Sequence, residues 1–150
     1  MSNPRRNKFQ RGQSFVELSL SLVVILLMLS GLLDLGRIYF IFIALEDGAG
    51  EAALYLSINP ECMTASDGEQ CADPNNAEFR ARNAGGGVVD WSGAVIRTNT
   101  PAPYGVGDPV AVSIEYSFNL LTPIIPRIVG FNPLTLRAEA SQIILTEKTS

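Results

Sequence analysis

The sequence predicts an α+β fold in which a long N-terminal transmembrane helix continues into a small antiparallel β-sheet domain. Three observations predict it. Residues 15–33 are almost unbroken apolar sequence with one charge, Glu17. No proline stands between Pro4 and Pro60, so nothing stops a helix that begins in this stretch. Val110, Val112, Ile114, Tyr116 and Phe118 alternate with Ala111, Ser113, Glu115 and Ser117, the period of a strand with one buried face. The expected organisation is a basic cytoplasmic leader over 1–12, a long helix over 13–57 that spans a membrane in its first half, and an extracytoplasmic α+β domain with a disulfide loop over 58–150. Of the 150 residues, about 90 remain beyond the helix, enough for one modest core.

Charge orients the helix. Arg5, Arg6, Lys8 and Arg11 give the leader +4 with no acid, whereas the chain from Gln13 on has 7 basic and 15 acidic residues. Lysine and arginine ahead of an apolar helix resist translocation, so the N-terminus is expected in the cytoplasm and the C-terminal domain outside. A hydrocarbon core of ~30 Å takes about 20 helical residues. A helix over 13–56 is about 66 Å long at about 1.5 Å per residue, so half of it projects beyond the bilayer. Gly48 and Gly50 are its expected weak point. Asp34 and Arg37, three apart, are placed to pair. Ser30 and Gly31 are small enough for another helix to approach closely.

Glu17 needs a reason, because a carboxylate inside an apolar run is costly unless paired. One reading is a helix-end acid near the headgroups, favoured by the N-terminal dipole. The other rests on spacing: Gly12 closes the basic leader and Glu17 is the fifth residue after it. A cut after Gly12 makes Gln13 a new amino terminus, which Glu17 of a neighbouring subunit would neutralise. Ser14, Glu17 and Ser21 share one helix face, and packing of 15–33, beginning at Phe15, would form the assembly surface. The competing reading of the serines is that they bond their own backbone.

The stretch Arg11-Gly12-Gln13-Ser14-Phe15-Val16-Glu17-Leu18, followed by Leu33-Asp34-Leu35-Gly36-Arg37-Ile38-Tyr39-Phe40, resembles TadE-like proteins, with a type IV prepilin-like processing site at its start. Ala44-Leu45-Glu46-Asp47-Gly48-Ala49-Gly50-Glu51-Ala52-Ala53 fits the alanine-rich continuation of the helix in that family. The resemblance implies a pseudopilin, or minor pilin, of a tight-adherence pilus system with a role in cell adhesion. It implies processing between Gly12 and Gln13 by a prepilin-type peptidase, and assembly with other pilin-like subunits or with itself through the N-terminal helix. It places the chain as a single-pass membrane protein or in an extracellular pilus. The alternative is an uncleaved single-span envelope protein whose outer domain binds another envelope component. A secretory signal peptide fits poorly, because the run exceeds the usual apolar core and no Ala-x-Ala follows it closely.

Beyond the helix, Asn59-Pro60 marks its end. Cys62 and Cys71 enclose a polar, turn-rich loop and are expected to oxidise outside the membrane. So short a closed loop would contribute about 2–3 kcal/mol. Asp67, Glu69 and Asp73 read as solvated acids rather than a calcium loop. Residues 74–84 suggest a short helix with Asp73 as N-cap, Pro74 first, and Glu78, Arg80 and Arg82 exposed, ended by Gly85-Gly86-Gly87. A strand is expected over 94–98, a wide hairpin connection over 100–109, and the clearest strand over 110–118. In 120–131, Pro123, Pro126 and Gly130 interrupt an apolar stretch. Leu120, Leu121, Ile124, Ile125, Ile128, Val129 and Phe131 either cap the core or form an exposed patch for a partner or the membrane surface. A last strand over 134–145 would turn Leu134, Leu136, Ala138 and Ala140 inward, ahead of a frayed polar tail over 146–150. Two or three strands are marginal alone, so helix residues 39–56 are expected to cover them.

Enzyme chemistry is not expected. There is no histidine, which removes His-based triads and His-metal sites. Two cysteines alone make neither a zinc site nor an iron–sulfur cluster. No cofactor or metal is implied. A net charge of -4 and scattered basic residues beyond the leader argue against nucleic acid.

Overall fold

The structure, a computed structural model, describes residues 6–121, 130 and 133–146, the first six by their backbone alone. The expectations for Ile124, Ile125, Ile128, Val129 and Phe131, and for 147–150, lie outside the described residues.

Helix α1 runs Arg6–Ile58, 53 residues without interruption. It begins within the basic leader and is about 80 Å long at about 1.5 Å per residue. Its last turn closes with the Asn59 amide on the Tyr55 carbonyl at 2.9 Å, and Pro60 follows. The carbonyls left open at a helix C-terminus need partners. The chain after the last strand supplies them: the Leu145 amide donates to the Ser57 carbonyl at 2.7 Å, and Thr146 Oγ1 donates to Ile58 O at 2.6 Å. Thr146 is therefore fastened, where the sequence suggests a frayed end.

Three strands form one antiparallel sheet in the order β1-β2-β3: β1 Ala94–Asn99, β2 Pro109–Phe118 and β3 Leu134–Ile143. The expected strands over 94–98, 110–118 and 134–145 fall here, and β1 and β2 form the expected wide hairpin. Register pairs Ile114 with Ile96 on one side and Ala138 on the other, and Val112 with Thr98 and Ala140. Val110, Val112, Ile114 and Phe118 are buried with Leu136, Ala138 and Ile144. The opposite face is wet, and there Glu115 stands across from Arg137.

The second half of α1 covers the buried face. Ile41, Ala44, Leu45, Ala49, Ala52, Ala53 and Leu56 are buried along one side of the helix at 3.6-residue spacing. The alanines of α1 share one core with Ala138 and Ala140 of β3, on which the helix packs.

Helix α2, Ala77–Ala84, packs on α1. It starts later than Pro74. The cap is Asn76, not Asp73: Asn76 Oδ1 accepts from the Phe79 amide at 2.8 Å, while its Nδ2 donates to Cys71 O at 3.0 Å and to Asp73 Oδ1 at 2.7 Å. The first amides of α2 are taken up too, Ala77 on Cys62 O at 3.0 Å and Glu78 on Met63 O at 3.1 Å. With those bonds in place, the helix cannot begin before Asn76. Glu78, Arg80 and Arg82 are half-buried rather than exposed, because Arg82 bonds Glu78 at 2.6 Å and the Arg80 guanidinium lies over the Tyr55 ring at 5.3 Å.

Glycine decides the α1–α2 approach. A Cβ on Gly48 would stand 2.8 Å from Ala81 O, and one on Gly85 would collide with the Trp91 ring. The helix therefore passes straight through Gly48, the expected weak point, because α2 and Trp91 fill the space a side chain would take. After α2, Gly86 at φ +60° turns the chain in the left-handed conformation that glycine tolerates.

Candidate membrane and assembly segment

Among the described residues, one helix is long and apolar enough to cross a membrane, Gly12–Ile58. Every residue from 12 to 29 is exposed, with Phe15 at 76%. No other part of the described chain touches this stretch in a way that would cover it. Its apolar surface thus faces all round, the pattern of a helix whose surroundings are lipid or other helices rather than its own core.

The sequence-predicted residues lie on this stretch. Gly12, Gln13 and Phe15 are exposed at its start, and a Cβ at Gly12 would meet nothing within 4 Å. Glu17 is exposed a turn further on, and no ion pair among the described residues includes it. Ser21 Oγ donates to the Glu17 backbone carbonyl at 2.9 Å, and Ser19 Oγ to Val16 O at 2.8 Å. Ser19 and Ser21 are thus satisfied within the helix, which leaves the Glu17 carboxylate as the group with charge to offer a neighbour.

The polar point at the far end of the apolar run was half legible. Asp34 and Arg37 do approach, Oδ1 to Nη1 at 3.6 Å. The rest was not predicted: Asp34 is 3% exposed and its Oδ1 accepts from the Leu121 amide at 3.1 Å. Arg37 also lies over the Phe118 ring, 5.0 Å from its centroid. The available signal was an acid placed directly after an apolar run, which is tolerable only with partners.

At the other end of the β domain, Cys62 and Cys71 are joined in a disulfide with Cα atoms 5.1 Å apart. Both are buried, and the Cys62 and Cys71 carbonyls hold the start of α2 as described. Tyr55 Oη on α1 donates to Asn75 O at 2.7 Å, tying the same loop to the long helix. Asp67 organises the loop itself by accepting from the Thr64 amide at 2.6 Å.

A family model described as "TadE-like protein" matches residues 12–54. No curated protein and no solved structure matches the chain. The matched segment takes in the exposed apolar stretch, the Asp34–Arg37 pair and most of the alanine stripe that packs on the sheet. Over residues 12–54, then, the chain is similar to TadE-like proteins.

Proposed function

We propose that the chain is a minor pilin or pseudopilin of a tight-adherence pilus system, with a structural rather than catalytic role. In this reading the leader stays in the cytoplasm, residues 15–33 cross the membrane, and the β domain lies outside. A prepilin-type peptidase cuts between Gly12 and Gln13. The exposed helix then packs against other pilin-like subunits or copies of itself, with Phe15 and Ser21 in the contact and Glu17 neutralising a neighbour's new α-amino group.

The observation that supports this reading most directly is the half-and-half character of α1. Residues 12–29 are bare while Ile41 to Leu56 form the core of a folded domain. One helix therefore anchors and carries, and the TadE-like match over residues 12–54 takes in its bare half and most of its covered half. Lipid alone would satisfy the apolar residues, but not a carboxylate at Glu17.

The test is intact-mass and N-terminal peptide analysis of the protein from its native membranes. A chain beginning at Gln13, methylated or not, is the expected result. A chain that retains Arg11 and Gly12 overturns the processing step and leaves a membrane-tethered domain that binds another envelope component.

A further inference from the structure

The bare and covered halves of α1 meet at Asp34. Below it, residues 12–29 are exposed all round. Above it, one side of the helix carries Ile38, Ile41, Ala44 and Leu45 into the domain, while Leu35, Tyr39 and Phe40 on the other side remain apolar and exposed. The next exposed acids are Glu46 and Asp47. About 20 helical residues cross ~30 Å of hydrocarbon. Counted from Phe15, that length ends at Asp34. Tyr39 and Phe40 then fall at headgroup level, where aromatic side chains concentrate.

At that same level the domain reaches down to the helix. Leu121 is 75% exposed, yet its amide is held by Asp34 and its neighbour Leu120 packs against the core. We infer that the Asp34–Leu121 contact is a latch that seats the β domain on the lipid surface, with the Leu121 side chain in the headgroup–acyl boundary. The inference rests on the reading of α1 as a spanning helix. The occupant is lipid because Leu35, Tyr39 and Phe40 carry the exposed apolar surface of the span past Asp34, and Leu121 is exposed where its amide meets Asp34. A carboxylate at the hydrocarbon edge requires donors, and the Leu121 amide and Arg37 are among those that Asp34 has. Arg37, its side chain half-exposed beside Asp34, lies at the same level, where lipid phosphates would meet it.

Spin-label depth measurements on the full chain in phosphatidylcholine–phosphatidylglycerol vesicles test this. Nitroxides are placed at Leu121→Cys, at Val23→Cys in the bare stretch and at Val95→Cys on the wet sheet face, the native cysteines being held in their disulfide. Collision with oxygen marks lipid, and collision with a water-soluble nickel chelate marks solvent. The expected result is loss of nickel accessibility at 23 and at 121 but not at 95. Adding Asp34→Ala restores nickel accessibility at 121, whereas Asp34→Asn, which keeps an acceptor for the Leu121 amide, does not. A solvent-accessible label at 121 beside a lipid-like label at 23 overturns the latch. So does a label at 121 shielded from both oxygen and nickel, which marks a protein contact instead. A solvent-accessible label at 23 overturns the spanning helix itself, so the two failures are distinct.

Discussion

Gly48 of α1 lies so close to Ala81 of α2 that a Cβ at Gly48 would stand 2.8 Å from the Ala81 carbonyl oxygen, with the Trp91 ring at 3.2 Å. Backbone cannot yield as a flexible side chain can. Gly48→Ala gains about 1 kcal/mol of helix propensity. Overpacking costs about 1–3 kcal/mol, so the balance is loss. Gly50, two residues on, is the control: a Cβ there meets nothing within 4 Å. Gly50→Ala is expected to stabilise by about 0.5–1 kcal/mol through propensity alone. Thermal unfolding of the two variants in detergent should shift in opposite directions. Equal shifts would mean that α2 does not pack on Gly48 as described.

Asn76 bonds three residues, Cys71, Asp73 and Phe79, through one side chain, and it is 1% exposed. Asn76→Ala removes the cap of α2 and leaves the Cys71 carbonyl without its donor. The expected cost is about 1–2 kcal/mol. Asn76→Ser, which keeps an acceptor for the Phe79 amide, should recover part of it. Amide exchange at Phe79 reads the cap directly, and faster exchange only in the alanine variant is the expected outcome.

The sheet and the disulfide were legible from sequence because each rests on a local pattern. The alternation over 110–118 states its own buried face, and two cysteines nine positions apart on a turn-rich loop have few other uses. The cap of α2 was misread because Asp73-Pro74 is a good helix start in isolation. Its rival, Asn76, wins through bonds to Cys71 and Asp73 that exist only once the loop is closed. Gly48 was misread for the same kind of reason. Glycine in a helix suggests a break until a second helix is known to need the space. At Asp34 the pairing with Arg37 is local and was foreseen, while the Leu121 amide arrives from 87 positions away.

Reducing the Cys62–Cys71 bond should loosen the loop that begins α2. Cross-linking so short a loop contributes about 2–3 kcal/mol through the unfolded chain. The double variant Cys62→Ser with Cys71→Ser is expected to lower the unfolding midpoint while far-UV circular dichroism keeps its helix signal, since α1 dominates it. Exchange of the Ala77 and Glu78 amides, which donate to the Cys62 and Met63 carbonyls, should quicken. An unchanged midpoint would assign the loop's stability to Asn76 and Tyr55 instead.

Asp90 gives a pH-dependent local contact. Ser92 Oγ and the Ser92 amide both donate to its Oδ1, at 2.7 and 3.1 Å, and they hold its carboxyl below the ordinary value of 3.8. A carboxyl whose folded pKa is depressed stabilises above its unfolded pKa, and that contribution is lost as pH falls through the folded one. The turn at Trp91–Gly93 should therefore hold at neutral pH and loosen only under acid. Ser92→Ala should raise the Asp90 pKa toward its ordinary value, measured by carboxyl-carbon NMR titration. No movement of that pKa would show that the hydrogen bonds are not its cause.

The assembly role proposed for Glu17 is separable from anchoring. In the proposed reading the exposed apolar residues around it carry insertion, and an uncharged side chain in place of Glu17 leaves that surface intact. Glu17→Gln keeps the size and hydrogen-bonding atoms of the side chain and removes only the charge. It is expected to leave the protein in the membrane fraction at unchanged abundance, with the leader processed as before. It should still prevent the chain from joining sheared surface filaments, because a neighbour's α-amino group would then be buried without a counter-charge. Glu17→Asp keeps the charge on a shorter arm and should retain partial assembly, which a purely steric role for Glu17 would not produce. Filaments that take up the glutamine variant as readily as the native chain would return Glu17 to a headgroup-level helix-end acid. The carboxylate would then have its counterpart in the dipole of α1 or in lipid, and the packing of Phe15 and its apolar neighbours would have to specify assembly without it.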